Sequence, residues 1–432
     1  MIQEWRETQL NELIDIKHGF AFKGEYFTDE PTNDLLLTPG NFSVGGGFQW
    51  GKYKFYDGPI PTEYILTEGD LVVSMTDLSK AGDTLGYSAM VPPSEYLLLH
   101  NQRIGKVIKK SESIDALYLN YQLRTKTYRN EILASATGST VRHTSPTKIG
   151  AYRFLLPPLD EQKSIASVLG ALDDKIQNNR RMNETLEEMA RTIFKSWFVD
   201  FDPVDAKATG NAPAHMNADT AALFPSSFGD DGLPEGWVNR PLDEIAEFLN
   251  GAAMQKFPSE GREFLPVIKI AELRSGLSSN TNRASLNVPE KYVISDGDVL
   301  FAWSGSLMQK VWTEGKGALN QHLFKVTSDN YQKWFFFYWI DHHMKWFQSI
   351  AASKATTMGH IQRKHLSEAE VCVPNESIMK CASDVISPLL EKQTQNSIES
   401  RTLAELRDTL LPKLMSGEIR VADAEREVEA AV

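Results

Sequence analysis

The 432-residue sequence predicts a mixed α/β fold: two globular segments joined by two long helices that pair as an antiparallel coiled coil, with an internal pseudo-two-fold repeat. The first observation behind this is self-similarity. Trp5, Leu10 and Gly19 return as Trp237, Leu242 and Gly251 at an offset of 232 (LNELIDIKHG against LDEIAEFLNG). Gly69-Asp70 returns as Gly297-Asp298 and Asn101-Gln102 as Asn320-Gln321, the shrinking offset placing net loop insertions in the first copy. Thr140, His143 and Pro157 meet Thr357, His360 and Pro374 at an offset of 217, which then holds through both helices. A repeat decides architecture before any single element does. The second observation is a heptad in each half. Ile165, Leu172, Asn179, Leu186 and Ile193 fall seven apart, with Val168, Met182 and Met189 at d-like places. Ala382, Leu389, Asn396, Leu403 and Leu410 match them, with Val385, Glu399 and Leu406 between. The third is that Asn179 and Asn396 are equivalent: a polar residue at an a position lowers stability but fixes register and partner.

Taken in order, the elements divide the chain at 1–159, a globular body; 160–200, a helix; 201–236, a linker; 237–375, a second body; 376–416, a second helix; and 417–432, an acidic tail. Each body alternates short β-like runs (Asp70–Met75, Asp298–Trp303) with Gly/Pro/Asn-rich turns (Thr38–Gly51, Arg274–Asn287). Helices are expected over Asp115–Leu133 and Tyr331–Ala351; the aromatic density of the second marks it as core. Pro157-Pro158 and Pro374 close each body just before its long helix, and about 38 residues make a rod of roughly 57 Å. Antiparallel pairing would put the two bodies at opposite ends. The linker, rich in Ala, Pro, Gly, Asn and Asp, reads as extended, and the tail as loose.

Composition is that of an ordinary globular protein, 41% apolar and 24% charged. Cys372 and Cys381 form no disulfide framework or metal-ligand spacing, and no basic-then-apolar leader or membrane-length run is present, so a cytoplasmic protein is expected. A net charge of -12 argues against a nucleic-acid partner until its distribution is read. The linker holds 1 basic and 6 acidic residues, whereas 237–375 holds 15 and 14. Ile132–Leu159 contains Arg142, Lys148 and Arg153 and no acid; the matching window His342–Ser367 contains Lys345, Lys354, Arg363 and Lys364 and no acid. Two local basic patches at corresponding places suit phosphate contact whatever the total charge.

Catalytic chemistry is missing. No segment matches a phosphate-binding loop, a dinucleotide fingerprint or a zinc-protease helix. Leu156-Pro157-Pro158-Leu159 lacks the polar head and aromatic end of an amino-methyltransferase tetrad. His342, His343, His360 and His365 have no clustered Cys or carboxylate, so no metal site is expected; Asp173-Asp174 and Glu187-Glu188 read as solvated helix faces. The chain reads as a binding protein and not as an enzyme by itself.

Four motifs carry a family resemblance: Leu156-Pro-Pro-Leu-Asp-Glu-Gln162 continuing to Ile176, Phe194-Lys-Ser-Trp-Phe-Val-Asp-Phe201, Leu233-Pro-Glu-Gly-Trp237, and Leu410-Leu-Pro-Lys-Leu-Met-Ser-Gly-Glu-Ile419. In this order, spread along the whole chain, they resemble the specificity subunit of type I restriction-modification systems. The second copy departs, carrying Pro374-Asn-Glu-Ser-Ile-Met379 where the first has the Gln motif. The resemblance implies two target-recognition domains, each reading half of a bipartite asymmetric site in double-stranded DNA, with the helices setting the gap and docking two modification (methyltransferase) subunits. It also implies restriction (translocase/nuclease) subunits, and S-adenosylmethionine, ATP and Mg on those partners, within a DNA adenine methyltransferase and restriction endonuclease complex. The chain itself would bind no cofactor and no membrane.

The candidate DNA contacts are the polar residues of the acid-free windows and the repeated Asn-Gln turns. In the first copy these are Asn101, Gln102, Arg103, Ser139, Thr140, Arg142, His143 and Lys148. In the second they are Asn320, Gln321, His322, Thr356, Thr357, His360, Gln362, Arg363 and Lys364. Arg suits guanine and Asn or Gln suits adenine. Asn101-Gln102 and Asn320-Gln321 fit equally well as buried hydrogen-bond anchors. A coiled-coil scaffold displaying two protein- or ligand-binding domains is the alternative; it suits the acidic total but leaves the paired basic windows without a purpose.

Overall fold

A computed structural model describes residues 5–51, 53–79, 81–353 and 359–431. The chain forms two compact units, Met1–Lys175 with Leu403–Val432, and Ile176–Thr402, the boundary falling inside both long helices.

The first unit holds a four-stranded antiparallel sheet in the order Ile14–His18, Ile104–Lys109, Leu71–Ser74, Ser88–Met90. The second holds Glu247–Asn250, Leu323–Thr327, Val299–Ala302 and Met308–Val311 in the same order and sense. Each adds a second sheet, five-stranded in the first body and four-stranded in the other, with one parallel pair: Asp34–Leu36 with Leu97–Leu99, and Leu265–Ile268 with Gly317–Leu319. A terminal ribbon closes each body, Arg6–Gln9 on Arg153–Leu156 and Val238–Pro241 on Glu370–Val373. The pleat sends successive side chains to opposite faces, and the consecutive pairs Val72-Val73 and Leu300-Phe301 are fully buried, so both faces of these central strands are covered.

The repeated dipeptides are the joints of this frame. Asp70 receives the amide of Thr67 at 2.8 Å and the Lys106 ammonium at 2.6 Å; Asp298 receives the Ser295 amide and Lys325, both at 2.8 Å. Gly19 and Gly251 lie against the Asn turns. A Cβ would stand 2.0 Å from the Asn101 carbonyl oxygen and 2.3 Å from that of Asn320, so only glycine fits. Two separate sequence signals, the Gly and the Asn, are thus one contact made twice.

The long helices span Leu159–Phe198 and Glu376–Ser416. Within the first unit Asp173 bonds Arg407 at 2.6 Å, while Trp5 links Glu161 to Gly417. Within the second, Asn179 bonds Glu399 at 2.8 Å and the Asn396 carbonyl at 3.4 Å, and Asn183 reaches Gln393 and Ser397. Partner numbers fall as helix numbers rise, which is antiparallel pairing. Asn396 returns a bond to Asn183 at 2.9 Å, so both predicted register residues are buried and satisfied in the seam.

Several expectations are corrected. The seam does not use the expected d-like positions throughout: Met182, Met189 and Val385 are exposed, and Ile176, Ala190 and Ile386, four residues after an a position, are buried. A heptad alternates steps of three and four, and the buried stripe takes the four first. Asp173 is no solvated carboxylate; it accepts from Arg124, Arg407 and Tyr121. Asp115–Leu133 is not one helix but two, Ala116–Gln122 and Lys126–Ser135, because the Thr125 hydroxyl caps the amide of Tyr128 and starts a new one. The linker is not extended. It folds into helices Asp202–Ala208 and Ala218–Leu223, and two of its apolar residues, Val204 and Phe224, are buried in the core with Trp197, Phe198 and Trp237, while Leu223 and Phe228 stay exposed. The tail forms a helix, Val421–Ala431, with Ala424 fully buried. The aromatic helix, Lys333–Ser353, is core as expected: Trp334, Phe335 and Ile340 are buried. Among the described residues no helix is long and apolar enough to cross a membrane.

Candidate nucleic-acid interface

At the end of its sheet, each body brings the strand after the Gly-Asp turn against the acid-free window. In the first, Thr76–Asp77 pairs antiparallel with Arg142–His143, and His143 also closes a hairpin on Thr137 with amide bonds of 3.0 and 2.8 Å. The Thr76 hydroxyl lies 3.2 Å from His143 Nδ1. Ser139 and Thr140 are exposed at the hairpin tip, His143 is exposed and Arg142 half-buried. Arg103 and Gln102 are exposed on the neighbouring turn, where the Arg103 carbonyl accepts from Met75, so the turn adjoins the strand that leads to Thr76.

The second body repeats the frame with other side chains. Ser304 bridges His360, and the Ser304 hydroxyl lies 3.0 Å from His322 Nδ1. Gln321 reaches the other His322 nitrogen at 3.4 Å. Trp303 stands between His322 and His360, ring centroids 6.0 and 6.3 Å away, with its indole N–H on Asn250 at 3.1 Å. The neighbours Gln321 and His322 and the distant His360 therefore share one surface cluster. Gln362 and Lys364 are exposed beside it. Arg363, also exposed, donates to the Phe248 carbonyl at 3.0 Å and lies over the Phe324 ring. Its guanidinium is partly committed to the body.

Other candidates have structural duties. Asn101 and Asn320 form the turns that receive Gly19 and Gly251, and Asn320 is buried with its side-chain oxygen facing the His322 amide. Lys148 donates to the Ser135 carbonyl at the end of helix Lys126–Ser135, where a cation also meets the negative end of the helix dipole. Thr356 and Thr357 lie outside the described residues. Thr76, Ser304, Trp303 and Asn250 were not anticipated. A hydroxyl residue recurs two places after each buried strand, Met75-Thr76 against Trp303-Ser304 in the repeat, and that was the available signal.

The joint between body and helix explains the first family motif. Gln162, fully buried, takes the Asp115 amide at 2.9 Å and donates to the carbonyls of Ser113 and Pro157 at 2.9 and 2.8 Å. In the second copy Met379 occupies the equivalent place and packs on the core, with Asn375 capping the helix instead. Among the described residues no group of His, Cys, Asp or Glu could hold a metal ion.

Comparison with known proteins agrees with this duplicated frame. The model of the type I restriction modification DNA specificity domain matches residues 2–188 and again 234–406. The type I restriction enzyme HindI specificity subunit of Haemophilus influenzae is 25% identical over 405 residues, spanning 79% of this chain and 87% of that protein. The MjaIX specificity subunit of Methanocaldococcus jannaschii is 25% identical over 354 residues, spanning 78% and 76%. The crystal structure of a type I restriction-modification S subunit from M. genitalium shares the fold, with a TM-score of 0.57 at 17% identity over 96% of each chain. With both halves matched over most of their length, this chain belongs to the type I restriction modification DNA specificity domain family.

Proposed function

We propose that this chain is the DNA sequence-specificity subunit of a type I restriction-modification complex, each body reading one half of a bipartite, asymmetric target. The observation that carries this is the duplicated edge: one strand-and-turn frame, built twice, holds His143 on buried Thr76 in one body and brings His322 and His360 together at buried Ser304 in the other. A shared frame with different outward side chains suits two different half-sites. Phosphate contacts from residues such as Arg103 and Lys364 would position each body, and base-edge contacts would specify.

The chain is non-catalytic in this reading. Modification subunits docked on the long helices would bind S-adenosylmethionine and methylate adenine, and restriction subunits would bring ATP and Mg. The scaffold alternative loses ground with the family assignment. The helices would act as the ruler for the unspecified gap, and that is testable. Removing one heptad from each helix shortens the rod by ~10 Å, about three base pairs at ~3.4 Å each. The assembled complex should then prefer a gap shorter by that amount; binding at the original gap would overturn the ruler.

A further inference from the structure

The first body carries on its interface edge a segment that the second does not need. Val73 and its ladder partner Ser88 enclose fourteen residues, whereas the equivalent pair Phe301 and Gln309 enclose seven. Much of the fall in the repeat offset between Gly69 and Asn101 is therefore this one loop.

The described residues of the loop, 78–79 and 81–87, are anchored by two buried charges. Asp77, 5% exposed, accepts the Ser79 amide at 2.6 Å, the Thr84 hydroxyl at 2.7 Å and the Thr84 amide. Arg129, 8% exposed, donates to the carbonyls of Gly82 and Leu85 and lies 4.4 Å from the centroid of the Tyr87 ring. Gly86 has a φ of +82°, and a Cβ there would stand 2.7 Å from Ile132, so the loop lies flush on helix Lys126–Ser135. Burying a carboxylate and a guanidinium is costly unless every bond is met. Here both charges satisfy the backbone and side chains of the loop itself. The second body, with Gly305 and Trp346 at the equivalent places, folds without either. The fold does not require the pair; a fixed loop does. At its surface Leu78 is 63% exposed, with Ala81 and Asp83 also exposed, and the loop springs from the strand paired to Arg142–His143.

We propose that the Leu78–Tyr87 loop is a base-reading element of the first body, with Asp77 and Arg129 as its positioning residues. This rests on the reading that the first body binds a DNA half-site. Leu78 suits the methyl group of thymine, and the Asp83 carboxylate suits the exocyclic amine of cytosine.

The test is selection of bound duplexes from a randomised library by the full chain assembled with its modification subunit. It compares wild type, Leu78→Ala/Asp83→Ala, Arg129→Met and Arg129→Lys. The surface double variant leaves the buried anchors intact and so keeps the test valid if Arg129→Met does not fold. Base preference at one or more positions of one half-site should fall about tenfold, with the other half-site and the gap unchanged. Arg129→Met should do the same, and Arg129→Lys less. Unchanged preference at both half-sites in the surface double variant, or equal loss at both, overturns the proposal. A wild-type selection that yields no bipartite motif contradicts the functional reading itself and not the loop.

Discussion

The equivalent body residues Arg124 and Asp341 fasten the two bodies to the long helices with opposite charges, at helix positions the repeat does not match: Asp173 corresponds to Leu390 and Arg191 to Asp408. In the first, Arg124 of the body meets Asp173 of the helix at 2.8 Å, and Arg407 of the second helix meets the same carboxylate at 2.6 Å. In the second, the residue equivalent to Arg124 is Asp341, and it takes a two-pronged bond from Arg191 at 2.8 and 3.0 Å. Either polarity serves because apolar packing surrounds each joint. Buried Leu169 and Leu172 flank Asp173, and buried Ala190 and Phe194 flank Arg191. The ions add orientation. They also differ in weight, since the Arg124 side chain is 4% exposed and that of Arg191 50%.

That difference predicts the largest contrast. Asp173→Ala leaves Arg124 buried without its counter-charge and should destabilise the first unit by about 3–5 kcal/mol, seen as an early transition in denaturant unfolding of the full chain. Burial pushes the Asp173 carboxyl up, but Arg124 and Arg407 outweigh it and hold the group below the usual range. Its contribution is therefore present above the unfolded carboxylate pKa of about 4 and lost as pH falls through the lower folded value.

A second contrast is acid sensitivity at milder pH. His100 is fully buried with Nε2 2.9 Å from the Ile104 carbonyl, and burial pulls its pKa down to about 4. The unfolded chain takes up a proton near pH ~6.5, so the first body should lose on the order of 3 kcal/mol as pH falls from there towards 4. The second body has Leu319 at that place but carries His343, on the aromatic helix Lys333–Ser353, whose pKa burial likewise pulls down to about 4. Both bodies should therefore lose stability over this range, from different segments. Hydrogen exchange resolved by segment between pH 7 and 4.5 separates them: in His100→Leu the loss should vanish from the first body and persist in the second, and an unchanged loss in the first body would remove His100 as its cause.

The shared frame predicts equality instead. Gly19→Ala and Gly251→Ala force a Cβ onto an Asn carbonyl in either body and should each cost about 1–3 kcal/mol, measured as matched losses in thermal unfolding. A large cost at only one of them would show that the joints differ in more than sequence. The smallest effect is expected from Arg191→Ala, about 1 kcal/mol or less for a half-exposed pair, by the same unfolding measurement.

Much of the frame was legible because it is written twice. The Gly, Gly-Asp and Asn-Gln pairs located the joints, and the equivalent Asn179 and Asn396 located the seam. What escaped was tertiary. Met182 and Met189 look like seam residues by spacing and hydropathy, yet the stripe passes them by, since a three-four alternation can begin with either step. Asp173 reads as a surface carboxylate because Arg124 and Arg407 are distant in sequence. Val204 and Phe224 were hidden in a polar linker whose composition says nothing of two well-placed apolar anchors. At the interface, exposed polar residues such as Ser139 and Gln362 could be listed from the sequence. The Ser304–His322 and Thr76–His143 pairings depend on strands that only the fold brings together.

In the proposed function one chain carries two readers, one for each half-site of a split target. The most direct test is a genome-wide map of methyladenine in cells with and without this chain and its modification subunit. A split motif with one constant gap, present only when both are expressed, is the predicted result; a continuous motif, or methylation unchanged by removing this chain, would contradict the account.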